Sequence, residues 1–322
     1  MNKQELNILI CSAGRRVSLV KIFKKTLDTH KDVFGKVYTC DLNPSLSAAC
    51  HISDGYIKVP RVTHKEYLDI LKTFCKQNNI SIIIPTIDTE LVVLSEAKEE
   101  FLKENIQIII SSKEICEIFY LKTSTEQFFV DNGFDTPKTI NNLITCKYPI
   151  FAKLNNSSSS IGAQIVYDQK IAIELSKSNN YIFQEYICAE EFTVDVFMDK
   201  NENIISAIPR KRLEVRAGEV SKALAIKNKK ILEEIQKLCK KLKGAYGCIT
   251  IQIFVTDERI TFIEINPRFG GGYPLSYFAG ANFAQYIIDE FLGKNLEFDD
   301  SWIDKTLMLR YDSEVILDGS SL

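Results

Sequence analysis

Histidine is scarce. The 322 residues contain three, His30, His51 and His64, and none stands at ligand spacing from a cysteine or a carboxylate, which argues against a zinc centre. The nine cysteines are scattered and odd in number, with no C-x-x-C pair. That pattern predicts buried thiols in a reduced, cytoplasmic protein rather than a disulfide framework. No apolar run reaches the roughly 18 residues of a membrane span. The start, MNKQELNILICSAG, has a short apolar run broken by Ser12 and Gly14, which suits a first strand better than a signal peptide. A net charge of -2 gives no bulk electrostatic footprint for nucleic acid or an anionic membrane. Two nucleotide motifs are also missing. The first strand runs into SAGRR and not G-x-G-x-x-G, and G-x-x-x-x-G-K-[ST] occurs nowhere. What remains is an ordinary globular composition, 45% hydrophobic and 25% charged, in a chain long enough for two or three compact units.

Strand and helix patterns alternate through the first hundred residues. NILICSA (7–13), KVYTCDL (36–42), ISIIIPT (80–86) and IQIIIS (106–111) read as strands. Helical spacing fills the gaps at 17–27, 67–77 and 90–104. This order predicts a parallel sheet covered on both faces, with ligands beyond the C-terminal strand ends. Near Ser112 the pattern changes. Helices over 112–133 precede short strands at 148–154, 163–168, 181–187, 191–199 and 203–209. A helix follows at 228–244, then CITIQIFVTD (248–257) and RITFIEINP (259–267), an expected antiparallel pair turning at Asp257-Glu258. A last helix is expected at 283–293.

Four stretches carry chemistry. In FIEINPRFGGG, Glu264, Asn266 and Arg268 recur at every second position and therefore share a strand face. Glu264 and Asn266 offer oxygen ligands to a hard cation such as Mg²⁺, and Gln252 on the partner strand could add a third. A guanidinium at Arg268 suits a phosphoryl or carboxylate oxygen, and Gly270 to Gly272 let backbone approach a ligand. A merely wet strand face would give the same alternation. The second stretch, KLNNSSSSIG, sets Lys153 before a small hydroxyl-rich loop ending at Gly162, an arrangement suited to phosphate; a plain surface loop is the alternative. In QEYICAEEFTVDVF, a carboxylate near a strand end could accept ribose hydroxyls and the backbone at 185–187 could meet a base edge; acidic strand-edge residues that block aggregation are the alternative. Lastly, RKRLEVRAGE clusters Arg210, Lys211, Arg212 and Arg216, with Arg210 and Arg212 on one face if the segment is extended. Such a cluster fits an anionic substrate or a solvated charge run.

These stretches, in this order, resemble the ATP-grasp superfamily, most closely its carbamoyl-phosphate-synthase-like members, over nearly the whole chain. The resemblance implies an α/β protein: an N-terminal parallel pre-ATP-grasp domain (1–111), then a two-lobed α+β ATP-grasp unit. Its small lobe with the phosphate loop would span 112–183 and its large lobe with the metal and substrate sites 184–322. It implies Gln252, Glu264 and Asn266 as ligands of Mg²⁺ or Mn²⁺, and Arg268 with Lys153 as catalytic groups. ATP would be held by Lys122, Lys153, Ser160, Gly162, Glu185, Ile187 and Glu191. Arg210, Arg212, Arg216 and Gly271 would face the substrate. SAGRR (12–16) and PTIDTEL (85–91) would sit at strand ends facing the cleft. Two departures stand out: Leu121 replaces the family's usual Asp before Lys122, and the phosphate loop is rich in serine rather than glycine. The chain also stops soon after the grasp unit, which implies that a large C-terminal substrate domain is absent or supplied by a partner. The implied reaction joins a small-molecule carboxylate to an amine through an acyl phosphate, with a homodimer as the expected assembly and no nucleic-acid or membrane partner. Two rivals remain: phosphorylation of a carboxylate or carbamate without amide formation, and a nucleotide-binding subunit without turnover. A dinucleotide oxidoreductase lacks its fingerprint, with Asp41 a residual hint.

Overall fold

A computed structural model describes residues 3–157, 161–178, 180–216 and 218–319. The first unit is built on strands β1 (Asn7–Ile10), β2 (Val37–Asp41), β3 (Gly55–Lys58), β4 (Ile80–Ile84) and β5 (Gln107–Ile108). They form one parallel sheet in the order β3-β2-β1-β4-β5. Alternation along β1 explains its two covered faces. Ile8 and Ile10 pack against Leu19, Val20 and Phe23 of helix α1 (Val17–Thr29), with α2 (Ala48–Ile52) beside it. Leu9 points the other way, toward α3 (Tyr67–Gln77) and α4 (Asp88–Leu102). The expected parallel sheet is therefore present, with β3 as an additional strand.

Helices α5 (Lys113–Ile118) and α6 (Lys122–Asp131) follow. They do not join the small sheet. Ile115, Phe119 and Phe129 pack beneath the later large sheet, while Lys122 and Glu126 of α6 reach the small lobe at Ser157 and Gln184. The small lobe holds β6 (Ile150–Leu154), β7 (Gln164–Val166), α7 (Gln169–Ser176) and β8 (Tyr181–Glu185), with strand order β8-β6-β7. Its core is small: Ile150, Ala152, Val166, Ala172 and Phe183.

The large lobe is a six-stranded sheet of β9 (Glu190–Met198), β10 (Ile204–Arg216), β11 (Glu219–Ala225), β12 (Gly247–Val255), β13 (Ile260–Asn266) and β14 (Leu307–Leu309). Its order is β13-β12-β9-β10-β11-β14, with every neighbouring pair antiparallel. One face is dry. Val194 and Val196 of β9 and Ile249, Ile251 and Ile253 of β12 pack with Ile231, Ile235 and Leu238 of α8 (Lys229–Cys239). The opposite face is polar at one end and apolar at the other. At the apolar end Phe197 and Ile205 meet α9 (Tyr273–Ala279) and α10 (Phe283–Phe291), in a core continuous with β1 and α1 of the first unit. Phe23 of α1 meets Phe269 edge to face at 5.9 Å, so the N-terminal sheet is cemented to the end of the loop that precedes the glycines.

Candidate functional site

The polar end of the large sheet is organised in rows. Arg210 stands opposite Thr193, Thr193 opposite Gln252, and Gln252 opposite Glu264, so four strands contribute one line of side chains. Two residues along each strand, Asp195, Thr250 and Asn266 make the next row. The expected β12–β13 pairing is thus present, with a detail the alternation did not reveal. The register slips between Gln252 and Ile253, which leaves Ile263 as an extra residue in β13. This bulge lets Ile265 and Phe262, three apart, share the dry face, while Ile263 and Glu264 both reach the cavity wall.

The row opens into a cavity of about 420 Å³ enclosed by all three units. Phe151 and Lys153 come from the small lobe, Arg16 from the first unit, and Gly270 to Gly272 close one side. Lys153 stands opposite Ile182 in the β8–β6 ladder and is 7% exposed. Burial, with Lys122 adding repulsion and Glu264 opposing it, pushes its ammonium down to about 8. Among the described residues, the side chains of Lys153, Gln252 and Glu264 make no hydrogen bond or ion pair. Three unspent polar groups thus face one cavity, and buried polar groups are ordinarily bonded.

The other expected nucleotide contacts fall as follows. Lys122 lines the cavity, begins α6 and donates through Nζ to the Ser157 carbonyl, while its amide donates to Asn155 O at 3.0 Å. Glu185 and Ile187 both line the cavity, but the Glu185 carboxylate accepts from Lys138 N at 3.2 Å and lies 3.7 Å from Arg259. Glu191 lines the cavity and pairs with Arg212 at 3.2 Å. Burial raises its carboxyl against the pull of Arg212, with Glu264 adding to the rise. Gly162 has φ +72°, and a Cβ there would come within 2.9 Å of Leu154 Cδ1, so glycine is required on both counts. It supports the loop without lining the cavity, where Ser157 and Ala163 stand instead. Ser160 lies outside the described residues.

The catalytic and substrate candidates separate further. Arg268 lines the cavity with its guanidinium engaged: Nε and Nη2 donate to Asp88 Oδ1 and Oδ2 at 2.9 and 2.8 Å, and Nη2 donates to Asn266 Oδ1 at 3.1 Å. Asn266 is buried behind the wall rather than in it. Arg210 reaches the cavity from a buried position, held by Asp195 at 2.8 and 2.9 Å, and Ser276 Oγ donates to the same carboxylate at 2.6 Å. Gly271 lines the cavity beside Glu219. Arg216 departs from the expectation: it pairs with Asp312 outside the cavity lining, and after two register shifts between Arg212 and Val215 it is Val215 that lines the cavity.

Several cavity residues escaped the sequence reading. Glu219 bridges Arg15 and Arg310 at 3.0 and 2.8 Å. Burial favours its neutral form, but Arg15, Arg16 and Arg310 hold the carboxyl below its ordinary range. Arg16 donates to Thr86 O at 2.9 Å and Phe269 O at 3.3 Å, and burial, reinforced by Arg268, pushes it down to about 10. SAGRR marked a strand end without showing which arginine turns inward.

A hard cation fits this site. No group of three or more His, Cys, Asp or Glu among the described residues could hold a metal ion. Mg²⁺, however, typically takes one or two carboxylates and shares the rest of its shell with substrate phosphates and water. Glu264 with the amide oxygen of Gln252 fits that description on the cavity wall beside Lys153, whereas Asn266 lies behind the wall with its Oδ1 accepting from Arg268.

Residues 8–109 match the family described as PylC-like, N-terminal domain, and residues 177–311 the family described as ATP-grasp in the biosynthetic pathway with Ter operon. The chain is 26% identical over 255 residues to a formate-dependent phosphoribosylglycinamide formyltransferase of Sulfurisphaera tokodaii, covering 67% of this chain and 63% of that protein's length. The biotin carboxylase domain of the Hydrogenobacter thermophilus 2-oxoglutarate carboxylase, solved with MgADP and bicarbonate, superposes with a TM-score of 0.73 at 14% identity, over 94% of this chain and 73% of that one. An L-amino acid ligase from Bacillus licheniformis gives 0.69 at 18% identity, over 92% of this chain and 76% of its own. A match to a PylC-like N-terminal domain thus precedes a match to an ATP-grasp domain, and the fold across both is that of these solved structures.

Proposed function

We propose that this protein is an ATP- and Mg²⁺-dependent ligase joining a small-molecule carboxylate to an amine, with release of ADP and phosphate. The observation that carries the reading is the set of unspent side chains, Lys153, Gln252 and Glu264, gathered at one cavity. Gln252, Glu264 and Asn266 would hold Mg²⁺, or Mn²⁺ in its place, and the cation would neutralise phosphate charge. Lys153 and Lys122 would hold the phosphates, with the 185–187 segment and Glu191 toward the nucleoside. Gly162 and Ser160 would belong to the phosphate loop, and Arg210, Arg212 and Gly271 to the substrate end. The acid oxygen bonds to the γ-phosphorus as the bond to ADP breaks. The amine lone pair then attacks the acyl carbon, phosphate leaves with its electron pair, and nitrogen gives up a proton. Lys153 and Arg268 serve by placing charge where it develops, so the chemistry needs no protein nucleophile. No helix of the described residues is long and apolar enough to cross a membrane. A cytoplasmic homodimer completes the reading.

The test is ADP release with Mg²⁺ against pools of carboxylic acids, with and without pooled amines. ADP formation that requires both pools is expected, and folded Glu264→Ala should lose it. Formation with acid alone would favour phosphorylation without amide formation. Wild-type-like turnover by Glu264→Ala would sink the metal assignment.

A further inference from the structure

Arg268 is placed by a residue of the other domain. Asp88 is the first residue of α4, just past the C-terminal end of β4, and Arg268 follows β13, 180 positions later. The pair is bidentate, Nε to Oδ1 at 2.9 Å and Nη2 to Oδ2 at 2.8 Å, and the side chains are 14% and 24% exposed. A two-point contact fixes the guanidinium plane as a single contact cannot. Nη2 also donates to Asn266 Oδ1, so the same carboxylate sets, through Arg268, the amide expected to face the cation. Asp88 has a further task. Arg16 and Arg268 repel each other at the cavity wall, and Asp88 attracts both.

We propose that Asp88 is a positioning residue for the reaction: it orients Arg268 and, through it, Asn266, making the geometry of phosphoryl transfer depend on the N-terminal domain. The proposal rests on the ligase reading above for its kinetic consequence, but not for the contact itself. Asp88→Asn keeps the size of the side chain and removes its charge and one of its two acceptors. Lys122, Lys153 and the 185–191 segment stay untouched, so at saturating Mg²⁺ the nucleotide KM should remain as in wild type. A misplaced Arg268 should lower kcat at least about tenfold. Asp88→Glu retains both acceptors and should recover part of that loss. A purely structural role would lower stability without splitting kcat from KM.

Two readouts test this on the full chain. The first needs no substrate: the ¹⁵N–¹H signal of Arg268 Nε, assigned by its loss in Arg268→Lys, should exchange slowly with water in the wild type and rapidly in Asp88→Asn. Equal exchange in both overturns the positioning contact. The second is ADP release with Mg-ATP and the acid and amine pools. An unchanged kcat in Asp88→Asn, or a parallel change in nucleotide KM, overturns the kinetic role. If the wild type turns over in no pool, the ligase reading fails and the exchange measurement still decides whether Asp88 orders Arg268.

Discussion

Replacing Lys153 by methionine should make the empty protein more stable at neutral pH while crippling it as a nucleotide receptor. The ammonium is buried, and burial brings its pKa from 10.5 to about 8. At ~1.36 kcal/mol per pKa unit, that gap corresponds to about 3 kcal/mol of disfavoured charge in the fold. The sign follows from proton counting. Below pH 8 both folded and unfolded chains carry the proton, so the full penalty falls on the folded state. Between about pH 8 and 10.5 the unfolded chain binds the proton and the folded chain does not, so stability rises with pH. Above that window neither carries it and the penalty is gone. Urea unfolding of Lys153→Met should therefore exceed wild type by up to about 3 kcal/mol at pH 7, with the advantage shrinking through pH 8 to 10.5. Nucleotide binding should act oppositely. A phosphate beside Lys153 raises its pKa, so Mg-ADP binding near pH 8.5 should take up a proton, seen as a dependence of calorimetric heat on the buffer's ionisation enthalpy. A variant less stable than wild type at pH 7, or binding heats independent of buffer, would refute the idea of a lysine held ready for an anion.

Two further outcomes concern the scaffold. Gly272→Ala should cost about 1–3 kcal/mol by overpacking. Its φ of -89° suits alanine, but the new methyl would lie 2.2 Å from Arg210 Nη1 and 2.9 Å from Val220 Cγ1. Gly133→Ala is the control: φ is +74° with nothing within 4 Å, so only backbone strain of about 1 kcal/mol is expected in the same denaturation series. Asp195→Asn should lose about 3–5 kcal/mol, since it leaves the Arg210 charge buried with no counter-ion on the neighbouring strand. A loss under about 1 kcal/mol would show that the pair is not what makes that charge tolerable.

What the sequence disclosed and withheld follows from the physics of sheets. Period two shows which residues share a face, so the Glu264–Asn266 alternation and the facing Gln252 were readable before any coordinates. It does not show the bulge, because one extra residue in FIEI leaves the apolar count plausible on either face. Only the register slip puts Ile263 on the cavity wall and Phe262 beneath it. The arginine cluster failed differently. Arg210, Arg212 and Arg216 have the same spacing parity, yet two lie in rows that cross the cavity and the third lies beyond a register shift, paired to Asp312. Parity assigns a face only while the register holds, and two shifts between Arg212 and Val215 turn Val215 rather than Arg216 toward the cavity. The packing of α5 and α6 was equally hidden: amphipathic helices after a parallel domain fit either lobe, and Phe129 stacks on Phe262 of the large sheet, 5.4 Å between ring centres. Asp88 was the least legible. PTIDTEL marks a strand end, and strand ends gather ligands. That its carboxylate would hold a guanidinium from the other domain depends on the shared core joining α1 to Phe269 and α10. A long-range core contact of that kind leaves no local period to read. The side chains that share a face were therefore written locally, and the Asp88–Arg268 pair was set by how two domains dock.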